Sequence, residues 1–227
     1  MLRQVSQRFQ GSCLMLMQQN GREVTFLGTA FLAHPDGYVL TAARIIPEDA
    51  GLVIVPAAVG DEFLPVTREE VAPVPVEVLA RDMTRDVALL QLTPDLQIGM
   101  PEKILGAGDT DPRGALLMTI GVPFGYYQIH TAIVSQAILA GRVRSHTGTN
   151  LIIFDRRVQV GDVGGPLISA DDGAVIGIVG GVFDPIELEG REPPQGGVSL
   201  HSDLSYATSI EYGAGLLENA LRETSSS

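Results

Sequence analysis

VTFLGTAFLAHPDGYVLT, residues 24–41, is two β-rich apolar runs joined by Pro35, Asp36 and Gly37. Gly accepts the positive φ that a tight turn requires, so the stretch predicts a hairpin. The pattern repeats outward on both sides. Upstream, an apolar run at 13–17 is joined to it by the turn pair Asn20 and Gly21. Downstream, runs of the same kind fall at 52–55, 74–80 and 87–92, and a second set at 115–121, 130–140, 151–154, 165–169, 174–183 and 204–208. About a dozen short strands suit two six-stranded antiparallel β-barrels better than one sandwich. The expected class is therefore all-β, with lobes 1–110 and 111–227 joined through the glycine-rich segment 106–114. Helices are expected only at the ends. Leu2, Val5 and Phe9 share a helical face that Gly11 would end, while Ser209 would cap a closing helix presenting Ile210, Gly213, Leu217 and Leu221 and ending before Thr224.

Composition narrows the function classes. The 227 residues are 45% hydrophobic, enough to fill a real core, and carry a formal net charge of −12. Nucleic acid and anionic membrane surfaces are thus poor partners. The single cysteine, Cys13, lies in an apolar run and reads as a buried structural thiol, with no internal disulfide. Four scattered histidines show no metal-ligand spacing, and no glycine-rich phosphate loop opens a helix, so neither metal nor cofactor is expected. No run approaches a membrane span and no signal-peptide pattern opens the chain, which predicts a soluble, cytoplasmic protein without membrane insertion. Segment 184–203, rich in Pro, Gly and Glu, reads as a surface insertion or a partner-docking loop.

Five blocks in order resemble one family. Residues 28–46 (GTAFLAHPDGYVLTAARII) are similar to the GSGFxxxxDGxxLTNAHVV segment of HtrA-type proteases with the trypsin-like fold. Residues 85–90 (RDVALL) resemble the TDLALL segment, 120–125 (IGVPFG) the IGNPFG turn, 161–167 (GDVGGPL) the nucleophile turn, and 173–178 (GAVIGI) the strand after it. Residues 207–210 (ATSI) fall where the last strand meets the final helix. The resemblance implies a cleft between the lobes, with histidine and aspartate from the first and serine from the second.

The departures fall on the chemistry. Arg44 stands where the resemblance puts the general-base histidine, Val163 where it puts the nucleophilic serine, and only Asp86 keeps its type. Valine has no attacking oxygen and arginine stays protonated, so neither half of acyl transfer is supplied. Arg44 is expected to pair with the otherwise lone Asp86. The backbone N–H groups of Gly161 and Val163 would form an oxyanion-hole-like nest, and Asp162 reads as solvated. A peptide-binding groove falls on Val158, Gln159, Val160, Ile178, Val179 and Gly180. His34, His146 and His201 read as exposed, His130 as a solvent-facing residue opening a strand, and Ser169 as pointing elsewhere, so no Ser/His pair substitutes. The expected function is a proteolytically inactive scaffold holding a protein or peptide partner. A hydrolase working through other residues and a structural subunit of a larger assembly stay open.

Overall fold

The computed structural model describes residues 2–9, 11–21, 23–48, 51–58, 62–63, 72–93, 98–100, 103–188 and 202–225. The first lobe comprises β1 (Cys13–Asn20), β2 (Glu23–His34), β3 (Tyr38–Thr41), β4 (Gly51–Pro56), β5 (Val74–Asp82) and β6 (Val87–Leu92). The second comprises β7 (Leu116–Gly121), β8 (Ile133–Arg144), β9 (Asn150–Phe154), β10 (Pro166–Ser169), β11 (Val175–Val182) and β12 (Ser205–Ser209). Each set closes into an antiparallel barrel, in the orders β1-β2-β3-β6-β5-β4 and β10-β11-β12-β9-β8-β7. Numbered within its own lobe, the second order is the first again, a duplication that no repeat in the sequence displays. The expected twelve strands and two barrels are thus the observed architecture.

Apolar alternation explains the cores. Leu14, Leu16, Val39, Ile54 and Leu90 fill the first barrel, and Leu117, Leu139, Phe154, Leu167 and Ile176 the second. The opposite faces of the same strands meet between the lobes, where Met15, Phe31 and Leu40 share one buried cluster with Met118, Ile120 and Ile168. Each terminal helix then crosses to the other lobe. Helix α1 (Leu2–Arg8) sets Val5, and the turn after it Phe9, in this cluster, and Arg8 donates to the carbonyls of Asp172 and Lys103, both at 3.3 Å. Helix α3 (Glu211–Ser225) packs on β6, and the Tyr38 hydroxyl reaches Thr224 at 3.3 Å.

Three local expectations change. Ser209 ends β12, and its hydroxyl donates to the Glu211 carboxylate instead of capping the helix. The helix passes Thr224 because the Thr224 and Ser225 hydroxyls donate to the carbonyls of Ala220 and Leu221. Strand β8 begins at Ile133, because His130 and Ala132 hydrogen-bond across the lobes to Ala58 instead. Of segment 184–203, Asp184 starts one helical turn, α2 (Pro185–Leu188), by accepting from the Ile186 N–H at 2.8 Å. Residues 189–201, including His201, lie outside the described residues, so the reading of this segment as a docking loop does too.

Thr29 is the polar staple between the barrels. Its hydroxyl donates to the Gly161 carbonyl at 2.7 Å and accepts from the Val122 N–H at 3.0 Å, with the residue wholly buried. Its N–H donates to the Val163 carbonyl at 2.9 Å, and its own carbonyl accepts the Thr41 hydroxyl at 2.7 Å. The packing admits nothing larger at Gly164, whose φ is +88° and where a Cβ would stand 2.2 Å from both the Thr29 carbonyl and the Thr41 hydroxyl. Thr29→Val keeps the shape but strands one buried donor and one buried acceptor. It is expected to lower unfolding free energy by about 2–4 kcal/mol in urea denaturation, against no more than a few tenths of a kcal/mol if the hydroxyl were idle.

Candidate functional site

The cleft between the lobes brings Arg44, Asp86 and Val163 together. Arg44 sits on a short 3-10 turn, Ala43–Ile45, directly after β3. Asp86 stands one residue before β6 at φ +56°, a left-handed conformation that Asp tolerates better than most side chains. β3 and β6 are hydrogen-bonded neighbours, so these two turns open at the same end of the first barrel. Asp86 Oδ1 accepts the Arg44 backbone N–H at 2.8 Å, and Oδ2 accepts from Arg44 Nη1. The expected ion pair is present, with the arginine side chain 40% exposed and the carboxylate 19%. Burial pushes the Asp86 carboxyl above its ordinary value, and the charge and hydrogen bonds of Arg44 offset only part of that.

The guanidinium does more than neutralise Asp86. Nη2 donates to the Gly180 carbonyl and Nη1 reaches the Tyr206 hydroxyl at 3.3 Å. One side chain from the first lobe is therefore bonded to two strands of the second. Arg44 forms a bar across the cleft, with a chamber on either side. One chamber, about 260 Å³, is largely apolar and is bounded by Ile45, Tyr126, Val158, Val160, Val163 and Val182. The other, about 480 Å³, is rich in hydroxyls, among them Thr84, Ser145, Thr149 and Tyr206.

Val163 is 7% exposed and closes the apolar chamber. The nest expected of Gly161 and Val163 is corrected here. Residues Val160–Asp162 form a 3-10 turn in which the Val163 N–H donates to the Val160 carbonyl at 3.3 Å, so this donor is already engaged. The groove is corrected as well. Val158, Gln159, Val160 and Gly180 line the apolar chamber, but Ile178 and Val179 are 1% exposed and belong to the cores. Val179 exchanges 2.8 Å hydrogen bonds with Gly164 and Gly165, which leaves Gly180, Gly181 and Val182 to face the cleft.

Asp162 departs furthest from expectation: it is 2% exposed, not solvated. Its Oδ2 accepts from Arg156 Nη2 at 3.2 Å and from the Gln159 N–H at 2.9 Å, while Arg156 Nη1 donates to the Thr119 hydroxyl at 3.0 Å. Arg156 therefore supplies the internal cation that holds the 159–163 turn. The available signal is an acid within a glycine-rich turn that follows Arg156 and Arg157 closely in sequence. Cys13 is buried as expected, and burial, followed by the nearby Asp162 charge, pushes its thiol up to about 12. Ser169 is buried with its hydroxyl 3.1 Å from Asp111 Oδ1. His34 is half-buried against Asp36 at 3.4 Å, and the exposed His146 contacts the Leu188 carbonyl at 2.8 Å. His130, expected to face solvent, is half-buried in the link to Ala58. Among the described residues, no group of His, Cys, Asp and Glu is arranged to hold a metal ion, and no helix is long and apolar enough to cross a membrane.

Comparison with known proteins converges on this architecture. Residues 28–178 match the trypsin-like peptidase domain. The magnetosome formation protease MamE of Magnetospirillum gryphiswaldense is 27% identical over 165 residues, 72% of this chain and 20% of that protein. A probable periplasmic serine endoprotease, DegP-like, of a Marinomonas species is 32% identical over 155 residues, 67% of this chain and 29% of the relative. This chain spans between a fifth and a third of the length of such relatives. Among solved structures, the HtrA-type protease AlgW with tripeptide superposes with a TM-score of 0.70 at 20% identity, covering 99% of this chain and 64% of its own. The active form of the Rv3671c protease from M. tuberculosis gives 0.68 at 21% identity, covering 94% and 82%.

Proposed function

Because this chain belongs to the trypsin-like peptidase family, with HtrA-type relatives, we propose that it is a member that no longer cleaves peptides and keeps its interlobe cleft to hold a protein or peptide partner. One observation carries this reading: the Arg44 guanidinium is bonded at once to Asp86, Gly180 and Tyr206. An arginine cannot accept a proton near neutral pH, and the Val163 side chain beside it offers no oxygen to attack a carbonyl. The cleft is thus occupied at its centre by a group incompatible with the chemistry of the family.

What the cleft retains is a place for an apolar side chain. The chamber of about 260 Å³ beside Val163 is flanked by surface that a soluble domain would ordinarily cover, with Val160 70% exposed and Tyr126 49% exposed. An extended peptide pairing along β11 would need the Gly180 carbonyl, which Arg44 already holds. Recognition therefore rests on insertion of an apolar side chain, with strand addition secondary.

Peptides selected from a display library test the proposal. A selected peptide with an apolar anchor is expected to bind the parent and to lose at least about tenfold in affinity against Val160→Asp, because a carboxylate at the chamber mouth must be desolvated on binding. Binders indifferent to that substitution, or no binders at all, would remove the cleft from the function.

A further inference from the structure

The proposed function uses only the apolar side of the Arg44 bar. The chamber on the other side, about 480 Å³, shares Arg44, Gly180, Gly181 and Val182 with the first, so one bound chain can reach both. Its far wall is braced across the lobes. The hydroxyls of Ser145 and Thr147 stand 2.8 Å apart, those of Thr147 and Thr149 3.1 Å apart, and Thr149 donates to the Thr84 carbonyl of the first lobe at 3.4 Å. A wall held in this way before a ligand arrives lowers the ordering cost of binding.

Charge decides what the chamber accepts. Two arginines, Arg44 and Arg85, line it against a single acid, Asp86. The strong acceptors there are already taken, both Asp86 oxygens by Arg44 and the Gly180 carbonyl by the same guanidinium. Donors remain. A guanidinium carries five N–H groups, and among the described residues neither arginine has all of them engaged. Both are open to a ligand, with the Arg44 side chain 40% exposed and that of Arg85 47%. Arg85 is steadied by groups that do not line the chamber: Asp82 accepts from its Nη1 at 2.7 Å, and its guanidinium lies 5.0 Å from the centre of the Tyr212 ring. Within a chain of formal net charge −12, the lining thus carries more positive than negative charge and offers donors without free acceptors. A cationic group entering it would meet two guanidinium charges at close range, and an anionic one would be held by them.

We infer that this chamber takes a carboxylate of the same bound peptide, facing Arg44 and Arg85 and within about three residues of the apolar anchor. The inference rests on the cleft being a peptide site. The short spacing follows from the shared wall: the chambers are separated by the Arg44 bar, and an extended chain advances about 3.3 Å per residue. Arg44 then contacts the ligand from both sides, and the partner is recognised by an apolar residue and an acid close together in sequence.

The test screens the intact chain against C-terminally amidated nonapeptides with a central leucine and random residues elsewhere. Aspartate or glutamate is expected to be enriched within about three positions of the leucine. One enriched peptide is then titrated by fluorescence anisotropy with its acid kept, changed to glutamine and changed to lysine. Glutamine should weaken binding about tenfold, the difference a charge-assisted hydrogen bond makes, and lysine should weaken it further. Against Arg85→Gln the acidic peptide should fall by a similar factor and the glutamine peptide much less, because both changes remove the same contact. A peptide that ends at the acidic position, with glutamine there and a free C-terminus, separates the two sources of the carboxylate: recovered affinity assigns it to a chain end, and no recovery to the side chain. Binders that lose affinity against Val160→Asp yet show no acidic enrichment, that bind equally with glutamate, glutamine and lysine, or that keep their acidic preference in Arg85→Gln would overturn the role of this chamber and leave the apolar one intact. Binders indifferent to both chambers, or no binders, would overturn the cleft as a peptide site and this inference with it.

Discussion

Replacing Arg156 with alanine is expected to cost about 3–5 kcal/mol of unfolding free energy, because it leaves the Asp162 carboxylate buried without its cation. The side chains of the pair are 17% and 3% exposed, so solvent cannot take over. The effect should appear as a fall in Tm of roughly 10 °C, given the few degrees per kcal/mol typical of a domain this size. The double variant Arg156→Met with Asp162→Asn should recover most of the loss. It removes both charges, while the amide oxygen of the new side chain can still accept the Gln159 N–H that Asp162 accepts now. Thermal melts of the three proteins decide the matter. A loss below about 1 kcal/mol in the single variant would mean the turn at 159–163 does not depend on this pair.

Catalysis should be recoverable only by restoring both missing groups. Val163→Ser alone is expected to leave peptide hydrolysis undetectable, because the neighbouring Arg44 cannot take the serine proton. Arg44→His alone lacks a nucleophile. Together they rebuild a serine, an imidazole and Asp86 in one cleft, and removal of the guanidinium also releases the Gly180 carbonyl. Turnover of the double variant should rise above the parent yet stay about 10²–10³ below an intact relative, since the Val163 N–H is bonded to the Val160 carbonyl and one oxyanion donor is lost. Cleavage by Val163→Ser alone at the rate of the double variant would show that another base serves the cleft.

The strands are legible in the sequence because hairpins are local. Alternating apolar runs punctuated by turns such as Pro35-Asp36-Gly37 specify hairpins within a few residues, and β2 pairs with β3 across that turn. Arg44 and Val163 are legible as cleft residues because motif position alone identifies them, and the structure places both on the wall of one chamber. What escapes depends on how distant segments meet. Arg44 finds the Gly180 carbonyl 136 positions away, and Thr29 bridges 132 positions to Gly161. Asp162 reads as solvated because its cation becomes visible only when the chain folds Arg156 back beneath the turn. The engaged Val163 N–H follows from backbone dihedrals at 160–162, which residue types in a glycine-containing turn leave open. Ile178 and Val179 read as groove residues because the pattern marks the strand but not the residue at which it leaves the core. That exit comes with the irregularity between Val179 and Gly181 in the pairing of β11 with β12.

The decisive measurement is incubation of the purified chain with casein and, in parallel, with a fluorophosphonate that labels activated serines. An inert frame predicts no casein fragments and no labelled band, with turnover about a millionfold below an intact triad. Casein cleavage accompanied by labelling that disappears on changing one serine to alanine would contradict it.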